Sequence, residues 1–516
     1  MLEPDDEMPD DRCGFVLMPE DVGRSSGYPK TAWAKVNNIS SCAREPWEDG
    51  RCIWHAQCGD KPVTELLERL RKGPSCLDGA ELNNITWPQG TSFQECSLIG
   101  TKWVETEVQD ADFTDTELQY SEFRDAEMVR SDFGNANLRR VQVTSSSFQY
   151  STLVNSDLTY GDFSESVFLN SDFSGSKLGQ TEFTDSYLNF AEFPNASLRA
   201  VKYIDCYIRE GDFYNTKLKD AVFENTFLRS ANFFSANLSG AFLEKSNLKE
   251  ANLAHANLAN AQLPSTDCRD ATTERAHLRD AVLAETDLRG TNLRGAELYQ
   301  IVLKDVRIDD ETNFGDRTPY RNPLSHTRIE FEEAETMNPL RAAAWVNRRL
   351  EALHEENAMS DTASHHHVEK EEAERALARE RAYSGYRVSS WEDAGQWGVK
   401  TAMKYLTNHG ESVKHVLVWW VAVIGFSAML FPWVGGIKDN SGNVFALTSL
   451  SELGSCAGWN EWGLNLYFSI ITFSTIGYGD LSPASPFARV LVGFESIAGA
   501  LLLALLVFVL GRRVAR

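Results

Sequence analysis

The sequence predicts a multidomain chain: a square coil built from five-residue sides, then a helical connector, then an α-helical membrane segment. Three observations predict it. One large apolar residue recurs every five positions from Thr91 to Ile308. Two long, nearly uncharged runs stand at 416–434 and 486–510. Between them a shorter apolar stretch ends in TIGYGD.

Residues 1–80 do not repeat. The opening MLEPDDEMPDD has neither a basic start nor an apolar run, so it does not read as a signal peptide. The nine cysteines of the chain are therefore expected to be reduced where they lie in the cytoplasm. Cys13, Cys42, Cys52, His55 and Cys58 form a candidate zinc set, since thiolates and imidazole three residues apart can reach one ion from a tight turn. Any four would complete a tetrahedral site, with Cys13, Cys42, Cys52 and His55 as the first choice. The alternative is a set of thiols packed beneath Trp33, Trp47 and Trp54. The stretch 63–73 reads as a short amphipathic helix leading onward.

In 81–310, Phe93, Leu98, Trp103, Val108, Phe113 and Leu118 open a series that Leu293, Leu298, Leu303 and Ile308 close. It makes 44 consecutive five-residue units, and only Cys268 and Thr273 depart from it. Two residues before each large side chain stands a compact one, as at Ala111, Thr116 and Ser121. A period of five fits neither helix nor strand. It fits a chain that turns a corner every five residues, both inward residues pointing into the coil. Four units then make one coil, so 44 units make 11, and stacking at ~4.8 Å gives a rod on the order of 50 Å long. Such coils stabilise their neighbours and need caps.

The run SANLSGAFLEKSNLKEANLAHANLANAQL resembles the pentapeptide-repeat family, whose consensus is A(D/N)LXX. The resemblance implies a right-handed quadrilateral β-helix. Cys96 and Cys206 fall at the small inward position and Cys268 at the large one, so packing is their expected role. Some rods of this family resemble DNA in shape and charge and inhibit DNA-handling enzymes. A DNA mimic is thus one reading of this rod and a rigid scaffold another, and the repeat alone does not decide.

Charge is unevenly placed. The chain carries a net −24, while 412–516 carries +1, leaving −25 on the first 411 residues. That part repels phosphates, so no nucleic-acid partner is expected. With 33 Arg against 17 Lys among so many acids, the composition suits high salt, where self-repulsion is screened.

The connector, 311–411, holds an expected helix at 340–357 behind the capping pair Asn338-Pro339. MSDTASHHH (359–367) reads as a loop, and His365–His367 as an exposed polar tract, with metal binding as the alternative. Residues 368–383 and 391–407 read as further helices.

In 412–516, the run 416–434 is 19 residues without a charge, enough to cross ~30 Å of hydrocarbon. The run 486–510 is interrupted only by Arg489 and Glu495. Lys400, Lys404 and Lys414 precede the first span, and Arg512, Arg513 and Arg516 follow the second. Both flanks and the repeat rod are therefore expected on the cytoplasmic side of the cell membrane. The stretch 462–474 is too short to cross and suits a re-entrant helix. Cys456 is expected in the external loop, as a free thiol or a link between subunits.

Alternating glycines let successive carbonyls point one way, and rings of such carbonyls replace the hydration shell of K⁺. Thr475-Ile476-Gly477-Tyr478-Gly479 resembles the TVGYG filter of two-transmembrane potassium channels, with Ile for Val. The resemblance implies a tetramer bound in membrane lipid. It implies carbonyl ligands for permeant K⁺ from Thr475, Ile476, Gly477 and Tyr478, with Asp480 at the outer mouth beyond Gly479. Gly499 falls where the inner helix of that family often has its gating hinge. Glu495, an intramembrane acid, would pair with a polar group behind the filter or face the cavity. Rod and pore together resemble pentapeptide-repeat ion-channel proteins of prokaryotes, haloarchaea among them. The rod would brace the pore or bind a cytoplasmic protein or ligand. A membrane-anchored scaffold or DNA mimic with a non-conducting pore is the alternative. No phosphate loop, nucleophile elbow or catalytic metal motif points to an enzyme.

Overall fold

A computed structural model describes residues 52–56, 61–71, 77–315, 338–384, 387–388, 390–446 and 456–515. The chain divides into two compact units, Met1–Pro319 and Tyr320–Arg516.

The first unit is a β-solenoid. Helix α1 (Val63–Leu70) precedes it and buries Leu66 and Leu70. Parallel bridges then join residues 20 apart, from Ser92 with Asp112 to Asp287 with Arg307, so four five-residue sides do make one coil. One face is continuous enough to form a seven-stranded parallel sheet from Lys102–Val104 to Val222–Glu224. The coils continue past both ends of the strict repeat. Glu81 pairs with Lys102 and Asn292 with Asn313, one residue out of step. The spacing of buried residues stretches to six at Trp87–Phe93 and again at Ile308–Phe314.

Every side ends in a left-handed residue, such as Asn155 (φ 58), Asp205 (φ 54) or Gly240 (φ 70). Asn and Asp recur there because their short polar side chains tolerate this region. The corner N–H is satisfied by the next coil, as when Asn155 donates to Ser174 O at 3.0 Å. Inside, large residues stack in columns. Phe173, Phe193, Phe213 and Phe233 form one, with ring centroids 4.9, 4.9 and 4.7 Å apart. Small inward hydroxyls are also bonded, Ser151 to Met128 O at 2.7 Å and Thr216 to Phe193 O at 2.8 Å. Cys206 takes the same place, its thiol 3.3 Å from Phe183 O. Cys96, Cys206 and Cys268 are all buried, and burial pushes the Cys206 thiol up to about 12.

The second unit is helical. Asn338 caps α2 (Pro339–Glu356), accepting from Leu340 N at 2.9 Å. Helix α3 (Ser360–Ala382) packs back along it. Here the expectation of a loop at 359–367 with an exposed histidine tract is corrected. Residues 360–367 are helical, and His366 and His367 are buried, while His365 is exposed as expected. They are held by polar partners on α2: His366 Nδ1 lies 3.0 Å from Asn347 Oδ1, and His367 Nδ1 lies 2.9 Å from Glu351 Oε1. Ala363, Ala373, Ala378 and Ala382 complete the contact face. A face of alanines and paired polar groups has no apolar periodicity to read.

Burial pushes His366 down to about 3, the charges of His354 and His365 adding to it. Burial alone would raise Glu351 and Glu372. Bonds from His367 and Lys370 to the first, and from Lys404, Arg375 and His409 to the second, outweigh it and hold both at about 2.

Helix α4 (Trp391–Thr407) starts at Ser390, whose hydroxyl accepts from Asp393 N, and ends in left-handed Asn408, His409 and Gly410. Helix α5 (Val413–Leu430) follows. Helix α6 (Cys456–Phe473) begins ahead of the expected Trp462, so Cys456 opens a helix instead of lying in a loop. Helix α7 (Pro486–Ala515) is unbroken.

Candidate functional site: a pore loop between two spans

The segment 475–479 lies between α6 and α7, braced at both ends. At its start, α6 closes on its own last carbonyls. Thr475 N donates to Thr472 O at 3.1 Å, and Ile476 N to Ile471 O at 3.1 Å. At its far end, Tyr467 Oη of α6 donates to Asp480 Oδ2 at 3.1 Å. Then Leu481–Pro483 pairs antiparallel with Ile437–Asp439, which follows α5.

Within the segment every second residue is left-handed: Thr475 (φ 56), Gly477 (φ 49) and Gly479 (φ 77). For glycine this region costs nothing steric. For a β-branched threonine it is an outlier, and such strain persists only where the surroundings hold it. Alternation of hand along a short segment turns its successive carbonyls toward one side. The intervening side chains, Ile476 and Tyr478, are 57% and 69% exposed.

Behind the segment, one hydroxyl joins three helices. Ser469 Oγ of α6 lies 2.9 Å from Ile424 O of α5 and bonds the Glu495 carboxylate of α7. Glu495 is thus buried and paired with a polar group on α6. Gly499 lies one turn further along α7. A Cβ there would stand 2.2 Å from Phe473 O, so this glycine is required for α7 to approach the end of α6. Phe473 also packs with Val416, Leu502 and Val509, and its ring meets Trp420 at 5.5 Å.

Helices α5 and α7 are long and apolar, yet only 17% of each span window is buried. A core helix of a soluble domain would be mostly buried. Val418, Val421, Phe426, Phe494, Ile497 and Leu501 face outward instead.

At the other end of the chain, the described residues bring Cys52 and His55 together, Sγ to Nδ1 3.2 Å, with His55 Nε2 2.9 Å from Asp78 O. Cys13, Cys42 and Cys58 lie outside the described residues. Among those described, no group of three His, Cys, Asp or Glu is placed to hold a metal.

Residues 441–516 match a family described as ion channel. Residues 91–128, 166–202 and, in overlapping copies, 212–307 match the pentapeptide repeats. Neither description is that of an enzyme. No curated protein matches the chain. Among solved structures, it is similar to HetL, a pentapeptide repeat protein of the cyanobacterium Nostoc sp. strain PCC 7120 involved in heterocyst differentiation regulation. The identity is 22%, over 49% of this chain and 98% of that one, with a TM-score of 0.25. Full-length QnrB1, a plasmid-mediated fluoroquinolone resistance protein, is 20% identical over 36% of this chain and 94% of its own, TM-score 0.23. A pentapeptide repeat protein of the Arabidopsis thaliana thylakoid lumen is 27% identical over 23% and 68%, TM-score 0.15. The chain is thus a pentapeptide-repeat solenoid joined to an ion-channel-like membrane segment. Its spans are α5 and α7, and the repeat domain is cytoplasmic.

Proposed function

We propose that the chain is a passive potassium-selective channel, that four copies form its pore, and that 475–479 is its filter. The observation that carries this reading is the left-handed backbone at Thr475, Gly477 and Gly479 directly after α6. Alternating hand is what a wall of inward carbonyls requires, and carbonyl rings replace the hydration shell of K⁺. The carbonyls of Thr475, Ile476, Gly477 and Tyr478 are the ion's ligands, and the Thr475 hydroxyl lies at the inner end.

One chain supplies one wall. The exposure of Ile476 and Tyr478 on a single chain fits side chains that neighbouring copies cover. Asp480, tied to Tyr467, fixes the outer end of the filter against its own pore-loop helix. Glu495 and Ser469 tie that helix to α7 from behind. Gly499 packs α7 against Phe473 and is the hinge at which α7 would bend in gating. The rod regulates or braces the pore, and its acid-rich, Arg-for-Lys composition suits a high-salt cytoplasm.

Cys52 and His55 supply two ligands of a structural zinc site. The bond from His55 Nε2 to Asp78 O is the kind that orients a metal-ligating imidazole. Metal analysis of the purified protein checks this, one zinc per chain being expected.

The filter is tested by single-channel recording of Gly477→Ala. A Cβ there meets a left-handed backbone, so K⁺ over Na⁺ discrimination should fall at least ~10-fold while the rod stays folded. Unchanged discrimination would contradict the assignment.

A further inference from the structure

Helix α7 ends inside the connector. Arg512 Nη1 lies 2.9 Å from His367 Nε2 on α3, Nε lies 3.2 Å from Glu411 in the turn before α5, and Nη2 lies 3.7 Å from Glu351 on α2. Phe508, one turn earlier, closes over the same turn. A Cβ at Gly410 (φ +89) would stand 3.1 Å from its ring and 3.4 Å from Arg512 Nη1. The left-handed turn therefore makes room for the end of α7.

The proton positions on His367 follow from its partners. A guanidinium only donates, and an ionised carboxylate only accepts. Arg512 therefore donates to Nε2, and Nδ1–H donates to Glu351 Oε1 at 2.9 Å. The ring is neutral. Lys370 Nζ stands 3.2 Å from Nδ1 and donates to Glu351 Oε2 at 2.7 Å. A second proton on the ring would remove the acceptor that Arg512 uses. It would also set a new cation between two others, in a place that is 7% exposed and little screened.

We infer that His367 and Arg512 are positioning residues for the pore: neutral His367 clasps the cytoplasmic end of α7 to the α2–α3 hairpin, and protonation of His367 releases it. This rests on the channel reading above. The groups facing the clasp are Glu351 from α2, Lys370 from α3 and Glu411 from the turn. His409 of that turn stands further along, bonded to Glu372, which Arg375 and Lys404 also hold. His366 is directed away, to Asn347.

The test uses the full-length protein in lipid vesicles at about pH 7.5 and about pH 5.5. Hydrogen exchange of 505–513, corrected for intrinsic rate, is read beside K⁺ flux. In the wild type, exchange of this stretch should rise about tenfold on acidification, with a change in flux of the same midpoint. His367→Gln should show neither response, while any acid response of α2 and α3 through His366 persists. Arg512→Gln should exchange fast at both pH values, and Arg512→Lys should recover part of the protection. Equal wild-type protection at both pH values, or a full acid response in His367→Gln, overturns the clasp. An exchange response without a flux response overturns its action on the pore. Absence of flux from every form, with exchange still following the clasp, overturns the channel reading and not the joint.

Discussion

The repeat coils and the membrane helices bury their apolar residues to opposite degrees. Along the coils Phe113, Phe173, Phe213 and Leu243 are fully buried within one chain. In α5 and α7, Val421 is 73% exposed and Phe494 69%. The coils are complete in themselves, because each side pairs with the sides 20 residues before and after it. The membrane helices leave most of their apolar surface uncovered by the rest of the chain. The coils are therefore a part that can be mutated and melted as a separate body.

The sharpest way to break this contrast is a substitution that disables the pore and spares the rod. Gly499→Val sets a branched side chain against Phe473 O, with which even a Cβ would clash at 2.2 Å. K⁺ flux should be lost while the circular-dichroism melt of the coils is unchanged; a conducting variant would deny the packing role of Gly499. The converse is Phe213→Ala, which breaks a column of stacked rings. It should cost about 3–5 kcal/mol by denaturant unfolding of the coils and leave K⁺ selectivity intact.

Much of this contrast is legible in the sequence, and the misses have physical causes. The five-residue period is readable because every inward position takes the same class of residue. It fails at 88–90 and 309–312, where one extra residue shifts the register although Trp87 and Phe314 still point inward. The left-handed backbone at Gly477 and Gly479 is readable because glycine adopts that region freely. The left-handed Thr475 is not, since nothing in its identity announces it. His366 and His367 look like an exposed tract because their partners, Asn347 and Glu351, lie on another helix. Arg512 reads only as one of several basic residues flanking a span; its clasp depends on a turn and a hairpin more than a hundred residues away in sequence.

A smaller effect separates connector from coils. His366 is held at about 3 against an ordinary 6.5, so the unfolded chain binds its proton first. Its contribution is present above pH 6.5 and is lost as pH falls toward 3. Glu351 and Glu372, held at about 2 against 4.5, add stability above pH 4.5 that is lost as pH falls toward 2. Amide exchange of α2 and α3 should therefore accelerate below pH 6.5 before that of the coils; coils that loosen first would contradict the assignment.

The smallest effect belongs to the coil thiols. Cys206 occupies a place that serine and threonine fill in other coils, so Cys206→Ser should change stability by no more than about 1 kcal/mol. In the native protein, Cys206 and Cys268 should resist a thiol reagent until the coils unfold, as their burial and raised ionisation require. Rapid labelling of either would show coils looser than the bridges imply.

The most direct test of the channel reading is ion flux into liposomes holding the purified full-length protein, with K⁺ compared against Na⁺ and Ba²⁺ as blocker. With the left-handed backbone at Thr475, Gly477 and Gly479 read as a filter, K⁺ uptake should exceed Na⁺ uptake and stop with Ba²⁺. Equal K⁺ and Na⁺ fluxes, or none at either pH at which the α7 clasp is held or released, would contradict it.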